Sequence, residues 1–279
     1  MNYIELVCRV IPAEPWSEII IAELAEIGFE SFAETEEGFK AYVPSELFSK
    51  EEVKTVFERK RSPGPGELSY TISEIGGKNW NAVWETNFED VLIAGQCHIR
   101  APFHNKVPGI AYDIVIEPKM SFGTGHHETT VLMIEWLLQT GLEGKDVLDM
   151  GCGTGVLAIL AAKKGAAKVT AIDNYLFAYE NTVENAARNG ITDMRILHGD
   201  ASLLGDETYD VIIANITRNV LLEDMAAYVE VLKPGGLLIL SGFLSFDKDI
   251  IFAGANQHGL QHAGEKELRD WVAMQLIKP

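Results

Sequence analysis

The first 75 residues show two hydrophobic periodicities, one after the other. Polar and apolar residues loosely alternate over 3–11, which predicts a strand, and apolar residues at helical spacing then continue to Gly28. Ser49 is typical of a helix N-cap. The later elements are predicted as strands at 29–33, 38–43 and 69–75 and a helix at 51–60. The resulting order, βαββαβ, predicts a small ferredoxin-like α+β domain over residues 1–76.

The pattern changes after about residue 107, where apolar strands alternate with amphipathic helices. Strands are predicted at 147–150, 169–172, 195–198, 211–214 and 237–240. This alternation indicates a parallel sheet that is covered on both faces, so residues 107–279 are predicted to form an α/β domain. Ligands of such sheets bind beyond the carboxyl ends of the strands, and we expect a site there.

Residues 77–106 are predicted as a linker region between the two domains. The run Gly76-Gly77-Lys78-Asn79 marks its start, because glycine pairs favour turns and loops. Trp80, Trp84 and Phe88 follow at a spacing that places them on one helical face. We interpret that face as a packing surface and assign it no catalytic role.

The chain is strongly acidic, with 23 Lys and Arg against 41 Asp and Glu and a formal net charge of −18. That charge opposes the attraction to phosphates on which nucleic-acid binding depends, so no direct nucleic-acid binding is expected. The same charge attracts a basic protein or a cationic small molecule, although it is equally consistent with a surface that only keeps the protein in solution.

Neither the chain start nor the cysteines indicate export. The residues after Met1 lack a basic region followed by an apolar stretch, and no apolar run approaches the roughly 20 residues that span a bilayer, so a cytoplasmic protein without a membrane segment is expected. Cys8, Cys97 and Cys152 are widely spaced and odd in number, which predicts three free thiols.

The most informative segment runs from Asp149 to Ala158 and reads D-M-G-C-G-T-G-V-L-A, at the end of one predicted strand and the start of a helix. Its three glycines, at alternate positions, allow a tight turn and a close approach of the backbone to a ligand. A nicotinamide dinucleotide fingerprint needs Gly or Ala where this chain has Val156, so that interpretation is weakened.

An acid follows each of the next two predicted strands. Asp173 ends one, where a carboxylate can accept hydrogen bonds from both hydroxyls of a ribose, and Asp200 follows the other. The alternative is that each acid only caps the helix that follows it.

The glycine loop and the two acids resemble the motifs of class I S-adenosylmethionine-dependent methyltransferases, which have a Rossmann-like, mostly parallel seven-stranded sheet. The segment S-F-G-T-G-H-H-E-T-T at 121–130, the A-N-I at 214–216 and the small N-terminal domain are similar to those of the ribosomal protein L11 methyltransferases, the PrmA family. The chain departs from the family pattern at Asn174-Tyr175 and at Thr217.

The resemblance implies a protein N-methyltransferase that transfers methyl groups from S-adenosylmethionine to lysine side chains, to the N-terminal α-amine, or to both, on ribosomal protein L11. It implies that Asn215 lies where the methyl group is transferred, and that Asp200 receives the adenine amine. The implied cofactor-binding residues are Thr130, Gly151, Gly153, Asp173, Asp200 and Asn215. We expect a monomer. Two alternatives stay open: a methyltransferase for another protein or a small amine, and a non-catalytic cofactor-binding module.

The adjacent His126 and His127 raise the question of a metal site. Neighbouring residues on a helix point about 100° apart, and no H-E-x-x-H pattern follows, so no metal is expected. A role in starting the helix or ordering the loop is favoured, with proton acceptance by one of them as the lesser alternative.

The N-terminal domain is predicted to recognise the protein substrate, because it contains none of the cofactor motifs. It carries an acidic stretch opposed nearby only by Lys40, and a basic protein would be attracted to such a surface. The acids of this stretch are Glu14, Glu18, Glu23, Glu26, Glu30, Glu34, Glu36 and Glu37.

Overall fold

The computed structural model describes residues 3–12, 16–35, 38–60, 66–75, 89–117, 123 and 125–279. The chain divides into two compact units, Met1–Asn87 and Phe88–Pro279. None of the described helices is long and apolar enough to cross a membrane. The three cysteines are buried free thiols, as predicted.

The smaller unit has the predicted order of elements. It consists of β1 (Tyr3–Ile11), α1 (Trp16–Glu26), β2 (Ser31–Thr35), β3 (Gly38–Pro44), α2 (Lys50–Arg59) and β4 (Glu67–Ile75). The strands form one antiparallel sheet in the order β2-β3-β1-β4. Alternate residues of β1, from Ile4 to Val10, are buried, which is why a period of two was visible in the sequence. Ser49 caps α2 by accepting a hydrogen bond from the Glu52 N–H.

More of the acidic side chains in this unit have partners than the sequence indicated. Glu23 forms an ion pair with Lys60, and Glu30 accepts a hydrogen bond from the Tyr3 hydroxyl. Lys40 pairs with Glu5 at 3.4 Å instead of with the stretch. The prediction that Lys40 alone opposes these acids was therefore wrong, because Lys60 is distant in sequence and comes close only in the fold.

The larger unit begins earlier than predicted. It starts with a small sheet of β5 (Val91–Ile93), β6 (Cys97–Arg100) and β7 (Tyr112–Val115), whose buried Ile93 and Ile99 belong to the same core as the following helices. Residues 91–106 are therefore not linker; strands of three or four residues are too short to give a readable period. Residues 77–88 of the predicted linker, with Trp80, Trp84 and Phe88, lie outside the described residues.

The main sheet has seven strands in the order β10-β9-β8-β11-β12-β14-β13. Its strands are β8 (Asp146–Met150), β9 (Lys168–Asp173), β10 (Arg195–His198), β11 (Tyr209–Asn215), β12 (Leu232–Leu244), β13 (Gln261–Leu268) and β14 (Trp271–Ile277). The first five in the spatial order are parallel, and β14 and β13 are antiparallel to their neighbours. The predicted mostly parallel, seven-stranded α/β fold is confirmed.

Helices cover both faces of this sheet. They are α3 (Glu128–Gln139), α4 (Val156–Lys163), α5 (Leu176–Arg188), α6 (Arg218–Val231) and α7 (Lys248–Gln257). The first two pack in the core on one face, with α5 beside α4, and the last two pack in the core on the other face. Neighbouring residues of β8 enter opposite cores, Val147 one and Leu148 the other, which explains the continuous apolar runs in the sequence.

Candidate functional site

A cavity of ≈ 530 Å³ lies at the carboxyl ends of the parallel strands, where sheets of this kind bind ligands. Five neighbouring strands of the sheet each place a residue in its wall, at or just beyond the strand end. These residues are Gly151 after β8, Asp173 in β9, Asp200 after β10, Asn215 in β11 and Gly242 in β12. Gly153 lines the same cavity, so the structure brings five of the six predicted cofactor residues together: Gly151, Gly153, Asp173, Asp200 and Asn215.

Two glycines of the wall enclose Ile216. Gly151 has φ +69°, and a Cβ there would lie 2.1 Å from Cγ2 of Ile216. Gly242 has φ +95°, and its Cβ would lie 2.2 Å from the Ile216 carbonyl oxygen. Since both positions need left-handed backbone and have no room for a side chain, only glycine fits. The close approach fixes the end of β11, and with it the neighbouring Asn215.

Side chains of α5 hold the glycine loop from behind. The Thr182 hydroxyl donates to the Gly153 carbonyl at 2.9 Å, and the Asn185 amide donates to the Thr154 carbonyl at 2.9 Å. Both side chains are fully buried. Buried hydrogen bonds of this kind leave the loop little freedom, so the cavity floor is preorganised. Neither residue was predicted; the only signal in the sequence is a pair of polar residues on one face of a predicted helix.

Asp173 hydrogen-bonds to the glycine loop and to the start of α5, and it also lines the cavity. Its Oδ2 accepts the Gly153 N–H at 2.8 Å, and its Oδ1 accepts the Tyr175 N–H at 2.9 Å at the start of α5. Each carboxylate oxygen has a second lone pair, so Asp173 can brace the loop and still accept hydrogen bonds from a ligand in the cavity.

Asp200 and Asp149 differ in their surroundings. Asp200 is exposed, and hydrogen bonds from Ser202, whose N–H lies 2.9 Å from Oδ1, hold its pKa below the usual range. Asp149 is fully buried behind the loop, where its Oδ2 accepts the Ala158 N–H at 3.0 Å. Burial raises the pKa of Asp149 to about 7. Asp149 is thus a structural acid, whereas Asp200 lines the cavity.

Thr130 is placed differently from the other predicted residues. It is buried and does not line the cavity, which is lined in this region by its neighbours His127 and Thr129. His127 is the N-cap of α3, and its Nδ1 accepts the Thr129 N–H at 3.2 Å. The helix-starting role is therefore confirmed for His127; proton acceptance stays a prediction. The described residues contain no cluster of His, Cys, Asp and Glu that could hold a metal ion.

Several wall residues were not predicted as site residues. Trp271, the first residue of β14, packs its ring against His127 with the centroids 4.8 Å apart. Tyr175 and Phe177 line the cavity although they are 62% and 50% exposed. Asp224 of α6 is a third carboxylate in the wall. Aromatic side chains in a mostly apolar wall that also carries carboxylates suit a partly apolar ligand, but nothing in the sequence distinguishes them from ordinary surface or core residues.

The described fold and cavity define the chain as a class I methyltransferase: a doubly wound sheet with an antiparallel edge, a glycine loop after β8 and carboxylates after the next two strands. The sequence model of the family described as ribosomal protein L11 methyltransferase (PrmA) matches residues 19–279. The chain belongs to this family.

Relatives and a solved structure agree. The ribosomal protein L11 methyltransferase of Bacteroides fragilis is 45% identical over 281 residues, which cover 99% of this chain and 100% of that protein. The one from Porphyromonas gingivalis is 48% identical over 260 residues, covering 92% and 89%. A crystal structure of the ribosomal protein L11 methylase from Lactobacillus delbrueckii subsp. bulgaricus is 25% identical with a TM-score of 0.65, covering 68% of this chain and 99% of that one.

Proposed function

We propose that this methyltransferase transfers methyl groups from S-adenosylmethionine to amines of ribosomal protein L11, on lysine side chains, the N-terminal α-amine, or both. The observation that carries the proposal is one cavity that joins the Asp173 carboxylate to Asn215. Within the described residues the Oδ1 of Asn215 is buried and has no hydrogen-bond partner. An unsatisfied buried acceptor is costly, so we infer that a bound group supplies the missing donor.

The residues present fit S-adenosylmethionine. Asp173 offers a fixed carboxylate for the two ribose hydroxyls, and the glycine loop lets the backbone approach the ligand closely. The exposed Asp200 is proposed to receive the adenine amine. When bound, S-adenosylmethionine would supply an electrophilic methyl group on a sulfonium, which an amine would accept with S-adenosylhomocysteine as the leaving group.

The nucleophilic amine must be neutral. A lysine amine with a pKa of about 10.4 is neutral about once in 2,500 molecules at pH 7, and an α-amine with a pKa of about 7.7–8.0 about once in 10. The apolar side chains of Trp271 and Ile216 in the cavity wall reduce the access of water to a bound amine, which lowers the pKa of the amine. The Asn215 oxygen then accepts one amine N–H and directs the lone pair towards the methyl group.

Orientation rather than a dedicated base is proposed to drive the reaction. The chain next to Asn215 carries no carboxylate; its neighbours are Ala214 and Ile216. The carboxylates that do line the cavity belong to the proposed cofactor subsites around Asp173 and Asp200. The amine is therefore expected to lose its proton to solvent before it is oriented.

The smaller unit is proposed to bind the protein substrate. The described part of the cavity is lined by residues of the larger unit alone, so the smaller unit is available for another task. The chain's charge of −18 favours a basic partner, and that attraction weakens as salt is added. We therefore expect the KM for L11 to rise with ionic strength while the affinity for S-adenosylmethionine changes little.

The decisive experiment incubates the full chain with purified L11 and methyl-labelled S-adenosylmethionine, and locates the label by mass spectrometry. Label on L11 amines that is lost in Asn215→Ala supports the proposal. Label on another ribosomal protein, with none on L11, would instead favour the broader methyltransferase alternative. Binding of S-adenosylmethionine without transfer to any protein would favour a binding module.

A further inference from the structure

Asp224 is a carboxylate in an unexpected position. On α6 the residues that face the core are otherwise apolar or aromatic, namely Leu221, Met225 and Tyr228, all fully buried. Asp224 shares this side of the helix and lines the cavity together with Gly199 and Asp200. Partial burial of a carboxylate on such a helix face is unfavourable unless the group has a partner.

Tyr228 fixes the orientation of Asp224. The Tyr228 hydroxyl donates to Oδ2 of Asp224 at 3.1 Å, and the tyrosine is fully buried. This is the only hydrogen bond to the Asp224 carboxylate within the described residues, so Oδ1 keeps its capacity to accept from a ligand. Burial raises the pKa of Asp224; the hydrogen bond from Tyr228 opposes this shift, and the nearby charges of Glu223 and Asp200 add to it.

The cavity walls next to Asp224 indicate the shape of a ligand that could contact this carboxylate. Phe177 and Ala178 line the cavity from α5, and Val220 lines it from α6. These helices cover opposite faces of the sheet, so the two walls face each other across the strand ends. A slot with apolar walls and two carboxylates, Asp200 and Asp224, fits a flat heteroaromatic ring that carries an amino group.

We infer that Asp224 accepts a hydrogen bond from the exocyclic amine of the bound adenine and so determines the specificity for the base. The inference rests on the proposed use of S-adenosylmethionine. An amino group has two N–H donors, and Asp224 and Asp200 give it two acceptors. A 6-oxo base would present lone pairs to both carboxylates and would be rejected, because contacts between two hydrogen-bond acceptors are unfavourable.

The test compares S-adenosylhomocysteine with S-inosylhomocysteine, in which the 6-amino group is replaced by a 6-oxo group, by titration calorimetry on the full chain. We expect the wild type to prefer the adenosyl compound. Asp224→Asn should lower this preference about 10-fold, which corresponds to about 1.4 kcal/mol, since the amide can also donate to the 6-oxo group. Glu223→Gln is the matched control: it removes one charge from the neighbouring, exposed position, and the preference should stay unchanged.

If Asp224 had only a structural role, Asp224→Asn would not change the preference for the adenosyl compound. The asparagine can still accept from Tyr228, so Asp224→Asn should fold, and Tyr228→Phe keeps the carboxylate while removing its anchor. An unchanged preference in Asp224→Asn, or a loss no greater than in Glu223→Gln, would overturn the inference. Equal binding of both compounds by the wild type would also overturn it and leave the proposed function standing. A wild type that binds neither compound would overturn the proposed function itself.

Discussion

The contact between Gly151 and Ile216 gives the sharpest prediction, because its energy can be worked out from the geometry. Gly151→Ala places a methyl group 2.1 Å from Cγ2 of Ile216 at a backbone φ of +69°. The left-handed conformation costs roughly 1–2 kcal/mol for a residue with a Cβ. Overpacking costs a further 1–3 kcal/mol or so, because Cγ2 can move away only if χ1 of Ile216 changes, and χ1 of a β-branched residue is restricted. The free energy of unfolding should therefore fall by about 2–5 kcal/mol.

The chain contains a matched control for the backbone part of this cost. Gly190, which follows α5, has φ +72°, and a Cβ there would meet no atom within 4 Å. Gly190→Ala should therefore lower the free energy of unfolding by only about 1–2 kcal/mol. Urea unfolding of the full chain measures both variants, and the difference between them isolates the clash.

Ile216→Ala provides the second control, because it removes the group that clashes. The double variant with Gly151→Ala should lose less stability than the sum of the losses in the two single variants, with a coupling of about 1–3 kcal/mol. Turnover should fall in Gly151→Ala and partly recover in the double variant, because displacement of Ile216 also moves Asn215. A Gly151→Ala variant that is no less stable than Gly190→Ala would refute the reasoning.

Three further predictions concern the cavity and its surroundings. Asp173→Ala should weaken S-adenosylmethionine binding by about 1.5–3 kcal/mol, and unchanged calorimetric affinity would contradict the assignment. Asn215→Ala should lower kcat more than it lowers cofactor affinity, whereas equal losses would make it a cofactor ligand only. Because the pKa of Asp149 is raised to about 7 in the fold, its contribution to stability is lost as pH rises from about 4 to 7. The free energy of unfolding, measured with urea, should therefore fall by about 2 kcal/mol less between pH 5 and 7 in Asp149→Asn than in the wild type. An unaltered pH dependence would show that Asp149 is not protonated.

The sequence predicted well those features that depend on neighbouring residues. The strands β1 and β10 were placed correctly because their periods and turn signals are local. The glycine loop and Asp173 could be predicted as site residues because each stands at the end of a predicted strand. The position of Thr130 was not predictable in the same way. On a helix, a difference of one residue turns a side chain by about 100°, so Thr129 lines the cavity while Thr130, which is equally buried, does not.

Contacts between distant residues account for most of what sequence reasoning missed. The hydrogen bonds of Thr182 and Asn185 to the glycine loop join residues about 30 positions apart, and the ion pair of Glu23 with Lys60 joins different elements. Such pairs leave no periodic trace in the chain. Asp224 shows the same limitation, because its burial depends on the cavity and on Tyr228 rather than on its sequence neighbours.

The position of β14 in the sheet affects how the catalytic unit matures during synthesis. This strand lies between β12 and β13 and carries Trp271, which follows all other cavity residues in the chain. A growing chain that has reached only α7 has an open cavity wall and an unpaired β12 edge, with Leu238 and Leu240 in a strand that lacks its partner. Exposed apolar edges favour aggregation, so prematurely terminated chains should be targets for chaperones and proteases. The completion of the described cavity wall by Trp271 thus coincides with the protection of that edge.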